Sequence, residues 1–343
     1  TMQKAKLLDA QLRALAPAKM TKGGKISVGR KQLERLARTT LVTALLEYAE
    51  KEKLRQFCEE LLRFQEDGIV HTNYNQVVTE TGRLSSSKPN LQNIPVRTEQ
   101  GKLLRKLFIP RPGCVFVSAD MSQIELRILA HYSQDPTMLQ AYAEGRNLHL
   151  ETMFTLWPEL RSLEKPEEHI LYKASKNTNF CKVYGGGSFK IAETAGISLF
   201  QAEEISMLYD QKFPAIADYQ RAQHKFAREH GYVETLYHRR RYCPDVTSND
   251  RERRSAAERE AANMPIQGTA ADMLKEAMVE IAQELPRDSY MLLQVHDEVI
   301  VECPESRVEQ VKLVLRRAME QQRGLSVPIK VDISVGKNWG EIV

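Results

Sequence analysis

Two aspartates lie at the ends of apolar, β-prone runs that are far apart in the chain. The first run lies in VFVSADMSQIELRILAH (residues 115–131), which predicts a strand ending at Asp120 and then an amphipathic helix. The second lies in LLQVHDEVIVE (residues 292–302), which predicts a tight β-hairpin with Asp297 at or near its turn. Taken in isolation, Asp120 is explained better by a cap on the following helix, a role that Ser122 could also fill. If the two aspartates are neighbours in one sheet, they form a hard-oxygen site that suits Mg²⁺ and phosphoryl transfer.

The residue types that a nucleoside triphosphate would need occur together in KASKNTNFCKVYGGG (residues 173–187). Lys176, Phe180 and Tyr184 are spaced four apart, so one helix face presents a cation, an apolar ring and a phenol in line. A base could stack on the ring while the ammonium meets phosphate. The pattern equally describes an amphipathic helix with an aromatic core stripe and a glycine C-cap.

Large polar side chains occur among small residues in RSAAEREAANMPIQGTAADMLKEAM (residues 254–278). Arg259 and Asn263 are one helical turn apart, and Gln267 follows the break that Pro265 predicts. The small residues allow close backbone approach. Core packing would explain the alanines but not the three large polar side chains beside them.

Basic residues are clustered rather than spread along the chain. The segment TGRLSSSKPNLQNIPVR (residues 81–97) contributes Arg83 and Arg97 in a loop, where a solvated turn is the simplest interpretation. Two further clusters surround a Gly-Gly loop and a turn-rich CPDVTSND stretch: Lys19, Lys22, Lys25, Arg30 and Lys31 in the first, and Arg239, Arg240, Arg241, Arg251, Arg253 and Arg254 in the second. A net charge of +4 is too mild to identify a nucleic-acid partner, and charge alone favours a solvated face.

Length and composition indicate a globular protein. The 343 residues are enough for roughly two domains, with 42% hydrophobic and 27% charged residues. No apolar run approaches the roughly 20 residues that a bilayer span needs, and the N-terminal stretch has no secretion signal, which predicts a cytoplasmic protein. Five scattered cysteines without zinc spacing predict reduced, structural thiols: Cys58, Cys114, Cys181, Cys243 and Cys303.

Apolar periodicity divides the chain into four stretches. Residues 31–65 predict two antiparallel helices or one long bent helix. Residues 68–118 contain the β-prone pieces GIVHTNY, KLFIP and CVFVSA, and residues 119–230 predict helices broken at prolines and at a triple glycine. The remaining elements are a helix ending near Met264, a helix from Gly268 to Leu285, and strands over 289–303 and 328–335. This order predicts an α+β fold in which the second and fourth stretches complete one sheet around inserted helices.

Taken together, these segments resemble family A DNA polymerases, the bacterial DNA polymerase I type. The family's first carboxylate motif is similar to VSADMSQIELR, its nucleotide-binding fingers helix to KNTNFCKVYG, and its second carboxylate motif to LLQVHDEVIVE. Two more segments, TGRLSSSKPNLQNIPVRTEQG and NMPIQGTAAD, follow in the expected order. The resemblance covers residues 66–343 densely, whereas residues 1–65 match only as a thumb.

The resemblance implies an α+β right-hand fold with a palm built on an antiparallel sheet, helical fingers and a helical thumb. It assigns residues 1–66 to a partial or short thumb, 67–150 to the first part of the palm, 151–252 to the fingers and 253–343 to the second part of the palm. It implies template-directed DNA synthesis, in which the primer 3′-OH attacks the α-phosphorus of a dNTP and pyrophosphate leaves. The implied partners are primer–template DNA and dNTPs, and no membrane is involved. The resemblance further implies a monomer that is associated with the nucleoid, or a viral protein in an infected cell.

The resemblance also implies a role for each matched residue. Asp120, Asp297 and the Met121 carbonyl would hold two Mg²⁺ ions, which Mn²⁺ can replace, and Lys176 joins the two aspartates as a catalytic residue. Glu298 would lie nearby in an auxiliary role. The incoming nucleotide would contact Arg97, Gln123, Glu125, His149, Lys176, Phe180 and Tyr184.

Contacts to the sugar and the duplex follow from the same resemblance. Glu125 would be a steric gate that lies where the 2′-OH of a ribonucleotide would fall. The primer–template terminus would be contacted by Arg83, Arg259, Asn263, Gln267 and His296. Every base pair offers a minor-groove acceptor in nearly the same place, so donors there test pair geometry without reading sequence. The basic clusters would then be phosphate contacts that position the duplex.

Three positions depart from the family pattern. Tyr172 lies four residues before Lys176, where the family usually has a triphosphate-binding arginine, and Lys173 is a candidate substitute. Met121 replaces the usual tyrosine, which matters little if only its carbonyl binds metal. Cys181 replaces a usual glycine and adds bulk to the helix that must rotate as the fingers close.

Two other functions remain open. A single-subunit RNA polymerase shares the palm, but Glu125 argues against it. A non-catalytic duplex-binding module descended from a polymerase is hinted at by Tyr172, although both aspartates, Lys176 and Tyr184 are present.

Overall fold

The computed structural model describes residues 40–96, 98–321 and 323–342. Two sets of predicted functional residues lie outside the described residues: Arg97, and the N-terminal basic cluster that begins at Lys19. The first part of the predicted thumb also lies outside them.

The described elements comprise short strands and longer helices. The strands are β1 (Gln65–Glu66), β2 (Ile69–Val70), β3 (Asn73–Asn75), β4 (Ser85–Ser87), β5 (Cys114–Met121), β6 (Tyr232–Glu234), β7 (Arg240–Tyr242), β8 (Tyr290–Val295), β9 (Glu298–Pro304) and β10 (Val331–Gly336). The helices are α1 (Thr40–Arg63), α2 (Glu99–Arg105), α3 (Ile124–Ser133), α4 (Pro136–Ala143), α5 (Leu148–Leu156), α6 (Ile170–Val183), α7 (Ser188–Ala195), α8 (Leu199–Lys212), α9 (Pro214–His230), α10 (Arg251–Glu284) and α11 (Val308–Met319).

The described residues divide into two units that alternate along the chain, and residues 40–73 and 87–102 belong to the smaller one. Its α1 is a single helix of 24 residues, so the alternative of two antiparallel helices is wrong for this stretch. Asp67 and Gly68 follow with φ of +49° and +81°, and β1 pairs with β2 across them. Two consecutive residues with positive φ are the geometry of a two-residue hairpin turn, which Asp-Gly favours.

The larger unit, residues 74–86 and 103–342, is built around a four-stranded antiparallel sheet of order β10–β5–β9–β8. Alternate residues of β5 enter the core, and Val117 and Ala119 are fully buried. The predicted hairpin and final strand are present as β8, β9 and β10. Because β5 pairs with both β9 and β10, the predicted joining of distant stretches in one sheet is confirmed.

Helices cover this sheet and share one hydrophobic core with it. Representative buried side chains come from β5, β9, α3, α10 and α11: Val117, Val299, Ile128, Met273 and Leu315. The helices predicted over residues 119–230 are present, and Pro136 and Pro214 occupy the first positions of α4 and α9. Among the described helices, none is both long enough and apolar enough to cross a bilayer.

The prediction of two helices separated at Pro265 was wrong, because α10 runs through this residue without interruption for 34 residues. Proline removes one backbone donor and crowds the preceding turn. The Tyr219 hydroxyl donates to the Ala262 carbonyl at 2.9 Å, in the turn that the proline disturbs. Met264 and Ile266, on either side of the proline, are fully buried. Packing on both sides therefore outweighs the local cost of the proline.

The prediction of a strand at KLFIP (residues 106–110) was also wrong, since this segment follows α2 as a turn and unpaired chain. Leu107 and Ile109 are exposed, whereas Phe108 packs edge-on against Trp339 with ring centroids 5.3 Å apart. Trp339 anchors the segment through this ring contact and through its backbone amide, which donates to the Phe108 carbonyl at 3.0 Å, while Leu107 and Ile109 make no buried face. Local β-propensity is overridden by this tertiary contact.

We expect Gly268→Ala to destabilise the larger unit. A Cβ at Gly268 would lie 2.5 Å from the Thr235 side chain, which is buried and donates to Asp272 at 2.9 Å. Overpacking of this kind costs about 1–3 kcal/mol of unfolding free energy, measurable by urea denaturation. Gly187→Ala is the matched control, because Gly187 has open space around it and an ordinary φ of −90°. Equal unfolding midpoints for the two variants would contradict the close approach at α10.

Candidate active site

Strand pairing brings the two predicted aspartates to one end of the sheet. In the β5–β9 ladder, Asp120 lies opposite Glu298, the residue after Asp297. The Met121 amide donates to the Asp297 carbonyl at 3.2 Å, so the hairpin turn contacts the end of β5 directly. On the other side of β5, Asp332 of β10 is the partner of Asp120. Acidic residues therefore flank Asp120 on both neighbouring strands.

The predicted hairpin turn is confirmed, and it is held by buried β9 and by the buried end of β8. Val295 pairs with Glu298, so His296 and Asp297 form a two-residue turn. His296 has a φ of +60°, which suits the twist of a tight hairpin. The Gln294 side chain donates to the His296 carbonyl at 2.6 Å and braces the turn from the strand below.

Neither Asp120 nor Ser122 caps the following helix. Gln123 is the residue before α3, with a φ of +55°, and no side chain makes a capping hydrogen bond there. The Ser122 amide instead donates to the Lys330 carbonyl at 2.9 Å. The helix-cap explanation of Asp120 is therefore wrong.

Three carboxyls at this end of the sheet, Asp120, Asp297 and Glu298, have raised pKa values and so retain protons more readily than ordinary carboxyls. Partial loss of hydration and repulsion from Asp297 and Glu298 raise the pKa of Asp120 to about 7, even though its side chain still reaches solvent. Lys176 opposes this shift. Burial also raises the pKa of Asp297 and of Glu298, and Arg83 opposes the shift at Asp297. A cation bound between the carboxylates would relieve their repulsion.

The donor set at this position fits a hard divalent cation. Two carboxylates and a backbone carbonyl are oxygen ligands of the kind that Mg²⁺ prefers. The Met121 side chain is buried, so only its backbone could contribute. Within the described part of the chain, no three His, Cys, Asp or Glu side chains are grouped so as to hold a metal by themselves. Water and substrate oxygens would therefore have to complete the coordination.

One face of α6 is turned toward this acidic strand end. Lys176 is exposed, and its charge lowers the pKa of the nearest aspartate. Phe180 is half-buried and Tyr184 is 38% exposed, so these rings do not form a core stripe. The helix ends at a glycine, where the Gly186 amide donates to the Cys181 carbonyl at 2.8 Å. The glycine C-cap of an ordinary helix is thus present together with the polar and aromatic face.

Glu125 joins three separate segments although it is only 6% exposed. The Tyr184 hydroxyl donates to one of its oxygens at 2.8 Å, and the Arg83 guanidinium forms an ion pair with the other. Burial raises the pKa of Glu125, while Arg83 and Tyr184 act in the opposite direction. The carboxylate is therefore held in one orientation between the loop before β4, α3 and the end of α6.

Three polar residues of α10 lie in one row because the helix continues through its proline. Arg259 donates to the Ser255 hydroxyl at 2.7 Å, and a Cβ at Gly185 would lie 3.3 Å from its side chain. The side-chain nitrogen of Asn263 is buried and has no hydrogen-bond partner within the described residues. Gln267 follows one turn later, half-buried, and is placed to hydrogen-bond Tyr184. This row therefore reaches the same site as α6.

The structure places three further predicted residues less directly. His149 is buried and bonded to the Asn179 side chain at 3.0 Å, and burial lowers its pKa to about 3. Its neutral form is therefore the stable one here, and its contact with phosphate stays a prediction. Lys173 is exposed on α6, and the Gln123 side chain donates to Asn147 at 2.9 Å.

Comparison with known proteins gives one consistent result. The family model described as DNA polymerase family A matches residues 1–341. The chain belongs to DNA polymerase family A.

Relatives within family A match most of the chain. The thermostable DNA polymerase I of Thermus filiformis is 43% identical over 328 residues, which cover 93% of this chain and 39% of that protein. DNA polymerase I of Streptococcus pneumoniae serotype 4 is 41% identical over 320 residues, 90% of this chain and 36% of that protein. The chain thus spans about two fifths of the length of the curated relatives it matches.

A solved structure supports the mixed helix and sheet architecture. The POL domain of Pol1 from M. smegmatis, in complex with DNA primer–template and dNTP, superposes with a TM-score of 0.87 at 34% identity. The match covers 97% of this chain and 61% of that chain.

Sequence reasoning missed two residues that hold Glu298 in this family A site. Ser118 donates to the Glu298 carboxylate, and the charge of Arg105 lowers its pKa. Arg105 is 2% exposed, and its guanidinium lies 4.3 Å from the Trp339 ring centroid. Ser118 precedes the aspartate of β5 by two positions and so points to the same face, a signal that strand alternation supplies. No local signal marks Arg105.

The second basic cluster is largely neutralised within the protein. Arginines of this cluster pair with acidic side chains in Arg239–Asp272, Arg240–Glu234, Arg241–Glu260 and Arg253–Asp245. Arg254 donates to the Ser248 carbonyl at 2.8 Å. These contacts favour a structural role over the phosphate contacts that family resemblance had implied for the cluster.

The added bulk at Cys181 is accommodated within the helices. Cys181 is 7% exposed and packs with Ile191 and Ala202. A Cβ at Gly186 would lie 2.5 Å from its sulfur, so glycine at that position makes room for the thiol.

We expect Asp120→Asn to change how stability depends on pH in metal-free buffer. The folded-state pKa of Asp120 is raised to about 7 from the ordinary 3.8. Between these two pH values the folded state therefore binds the proton more tightly than the unfolded state does. The free energy of unfolding of the parent then falls as pH rises through this range. Asparagine does not titrate, so the variant does not lose this stability. The variant should therefore exceed the parent in stability at pH above about 7, with a gap that shrinks toward pH 4.

Urea unfolding in chelator across this pH range measures the effect. Asp218→Asn is the control, because Asp218 is exposed on α9 and pairs with nearby Arg221 on the same helix. A stability gap for Asp120→Asn that is independent of pH would rule out the raised pKa.

Proposed function

We propose that this chain carries out template-directed DNA synthesis as a DNA-directed DNA polymerase. The primer 3′-OH attacks the α-phosphorus of a dNTP, a new phosphodiester bond forms, and pyrophosphate leaves. The observation that carries the proposal is the meeting of Asp120 and Asp297 at one sheet end, opposite the cationic face of α6. Membership of family A and the DNA and dNTP bound by the related M. smegmatis domain support these substrates.

The proposed subdomains follow the distribution of helix and sheet. The antiparallel sheet and the parts of the chain at residues 67–150 and 253–343 form the palm. The helices within residues 151–252, including α6, form the fingers. Residues 1–66 form a partial or short thumb, and the chain acts as a monomer.

Two Mg²⁺ ions, or Mn²⁺ in their place, would be held by Asp120, Asp297 and the Met121 carbonyl. When bound, such ions lower the pKa of the attacking hydroxyl and neutralise charge on the departing pyrophosphate. The hairpin positions Asp297 by fixing its backbone against Met121, at 3.2 Å. Glu298 is held by Ser118 and has an auxiliary role beside them.

The incoming nucleotide is bound by the α6 face and by Glu125. Lys176 binds the triphosphate, because it is the exposed cation that faces the acidic strand end. Phe180 and Tyr184 pack against the incoming base and the templating base. Glu125, fixed by Tyr184 and a guanidinium, lies where a 2′-OH would fall and so selects deoxynucleotides. Further nucleotide contacts are proposed for Arg97, Gln123 and His149.

The row on α10 meets the primer–template terminus together with His296 and Arg83. Asn263 has a buried donor without a partner in the described part of the chain, which a minor-groove acceptor would satisfy. Gln267 and Arg259 extend this row along the groove, and His296 is exposed at the hairpin turn beside it. Such donors test base-pair geometry without reading sequence.

Asp297→Ala is expected to abolish nucleotide addition while leaving duplex binding intact. Removing a metal ligand takes several kcal/mol of transition-state stabilisation, so the rate should fall roughly a thousandfold or more. Single-turnover primer extension with Mg²⁺ measures the rate, and fluorescence anisotropy measures primer–template affinity. The control is Asp218→Ala, at an exposed position on α9. Primer extension at the parental rate by Asp297→Ala would disprove the metal assignment.

Glu125→Ala is expected to admit ribonucleotides. Loss of the side chain opens space at the sugar, so the preference for dNTP over rNTP in kcat/KM should fall about tenfold to a hundredfold. Tyr184→Phe removes one hydrogen bond to Glu125 and should show a smaller loss of preference. Glu309→Ala, on an exposed face of α11, serves as the neutral control. Unchanged sugar preference in Glu125→Ala would remove its gate role, and preferential rNTP use by the parent would contradict the DNA polymerase proposal.

A further inference from the structure

Tyr172 connects the nucleotide-binding helix to the segment that follows Asp120. Tyr172 lies in the first turn of α6, where its hydroxyl accepts a hydrogen bond from the Asn147 side-chain nitrogen at 3.0 Å. The Asn147 side-chain oxygen accepts from Gln123 at 2.9 Å and from the His149 amide at 3.0 Å. With two donors on its oxygen, the Asn147 amide has one possible orientation, and its nitrogen must face Tyr172.

Gln123 fixes the other end of this chain of hydrogen bonds. Its side-chain oxygen accepts from the Tyr142 hydroxyl at 3.2 Å, and Tyr142 is almost fully buried. Gln123 also ends the tight connection between β5 and α3. The hydrogen bonds therefore begin three residues after Asp120 and end on α6. Because Gln123 follows Asp120 so closely along the chain, these hydrogen bonds tie α6 to the strand end that carries the carboxylates.

The ring of Tyr172 contacts the residue that the proposed function assigns to the triphosphate. The Lys176 ammonium lies 5.6 Å from the centroid of the Tyr172 ring, within the range of a cation–π interaction. The ring also packs edge-on against His149, with centroids 6.1 Å apart. The ring is thus held by a buried neighbour while it contacts a flexible cation. Lys176 in this position also lowers the pKa of Asp120, which places its charge near the acidic strand end.

We propose that Tyr172 is the positioning residue for Lys176, with its hydroxyl anchored through Asn147 and Gln123 and its ring orienting the ammonium toward the nucleotide triphosphate. The inference rests on the proposed function. It assigns Tyr172 no contact with the triphosphate, because the ring and hydroxyl act only through the placement of α6 and Lys176. Loss of the anchor lets α6 move away from the carboxylates, which weakens nucleotide binding before chemistry.

Three substitutions separate the hydroxyl, the anchor and the ring. Tyr172→Phe removes only the hydroxyl acceptor and retains the cation–π contact. Asn147→Ser retains a cap for α5 but is too short to reach Tyr172. Tyr172→Leu removes both the hydroxyl and the ring. Each is compared in the parent and in a Lys176→Ala background.

The main measurement is the dissociation constant of dNTP from the complex of the protein with primer–template DNA. The primer ends in a dideoxynucleotide, so dNTP binds but no bond forms. Loss of one hydrogen bond should weaken binding about fivefold in Tyr172→Phe, and loss of the ring about twentyfold in Tyr172→Leu. Asn147→Ser should weaken dNTP binding at least as much as Tyr172→Phe does. The double variant with both substitutions should bind dNTP no more weakly than Asn147→Ser alone. In the Lys176→Ala background, the effect of Tyr172→Leu should fall to that of Tyr172→Phe, because the ring has no ammonium left to orient while loss of the hydroxyl anchor still displaces α6. The maximal single-turnover rate at saturating dNTP should stay near the parental value in Tyr172→Phe, whereas loss of folding would lower rate, affinity and urea midpoint together.

Several outcomes would overturn the inference. The first is that Tyr172→Phe binds dNTP as tightly as the parent or more tightly. The second is that the losses of dNTP affinity in Tyr172→Phe and Asn147→Ser add in the double variant. The third is that Tyr172→Leu weakens dNTP binding as much in the Lys176→Ala background as in the parent. A parent protein that neither binds dNTP on primer–template nor extends a primer would instead contradict the proposed function. If the parent extends a primer normally and Tyr172→Phe binds dNTP with parental affinity, the inference fails while the proposed function stands.

Discussion

Repulsion between carboxylates gathered at one end of an antiparallel sheet is the constraint on which the site depends. Pairing of β5 with β9 and β10 brings Asp120 beside Glu298 and Asp332, while the hairpin turn adds Asp297. Burial and repulsion from the neighbouring carboxylates together raise the pKa of Asp120, which expresses the cost of this arrangement. Strand pairing holds the carboxylates in place, because the buried strands β5 and β9 belong to the core under the sheet, which stabilises the pairing irrespective of the charges at its end.

Cationic and hydrogen-bonding groups from other segments offset that repulsion without removing it. Lys176 approaches from α6 and Arg83 from the loop before β4, and each favours ionised carboxylates. Glu125 is held by Arg83 and Tyr184. The Arg83 guanidinium therefore interacts both with buried Glu125 and with the acidic strand end. The partners come from distant parts of the chain, which makes the geometry of the site a property of the whole larger unit.

Several features of this site could be predicted from local patterns. Apolar runs interrupted at Asp120 and Asp297 predict strand ends, since only a turn or sheet edge tolerates such polar residues. The spacing of Lys176, Phe180 and Tyr184 predicts a common helix face. Local signals failed where packing outweighed them. Pro265 lies inside a helix because its neighbours are buried on both sides, and the Phe108 segment is anchored by the ring and the backbone amide of Trp339 instead of a strand pair.

The sequence by itself determined the residue types, their periodicity and their order, and these were sufficient to identify the family and the two aspartates. Only the tertiary structure decided that Asp120 is not a helix cap, that the second basic cluster is mostly paired internally, and that Tyr172 bonds to Asn147. The physical reason is that periodicity follows from backbone geometry, which is local. Hydrogen bonds and ion pairs depend on which surfaces the fold brings within a few ångströms, and the chain separation of their partners carries no information about that distance.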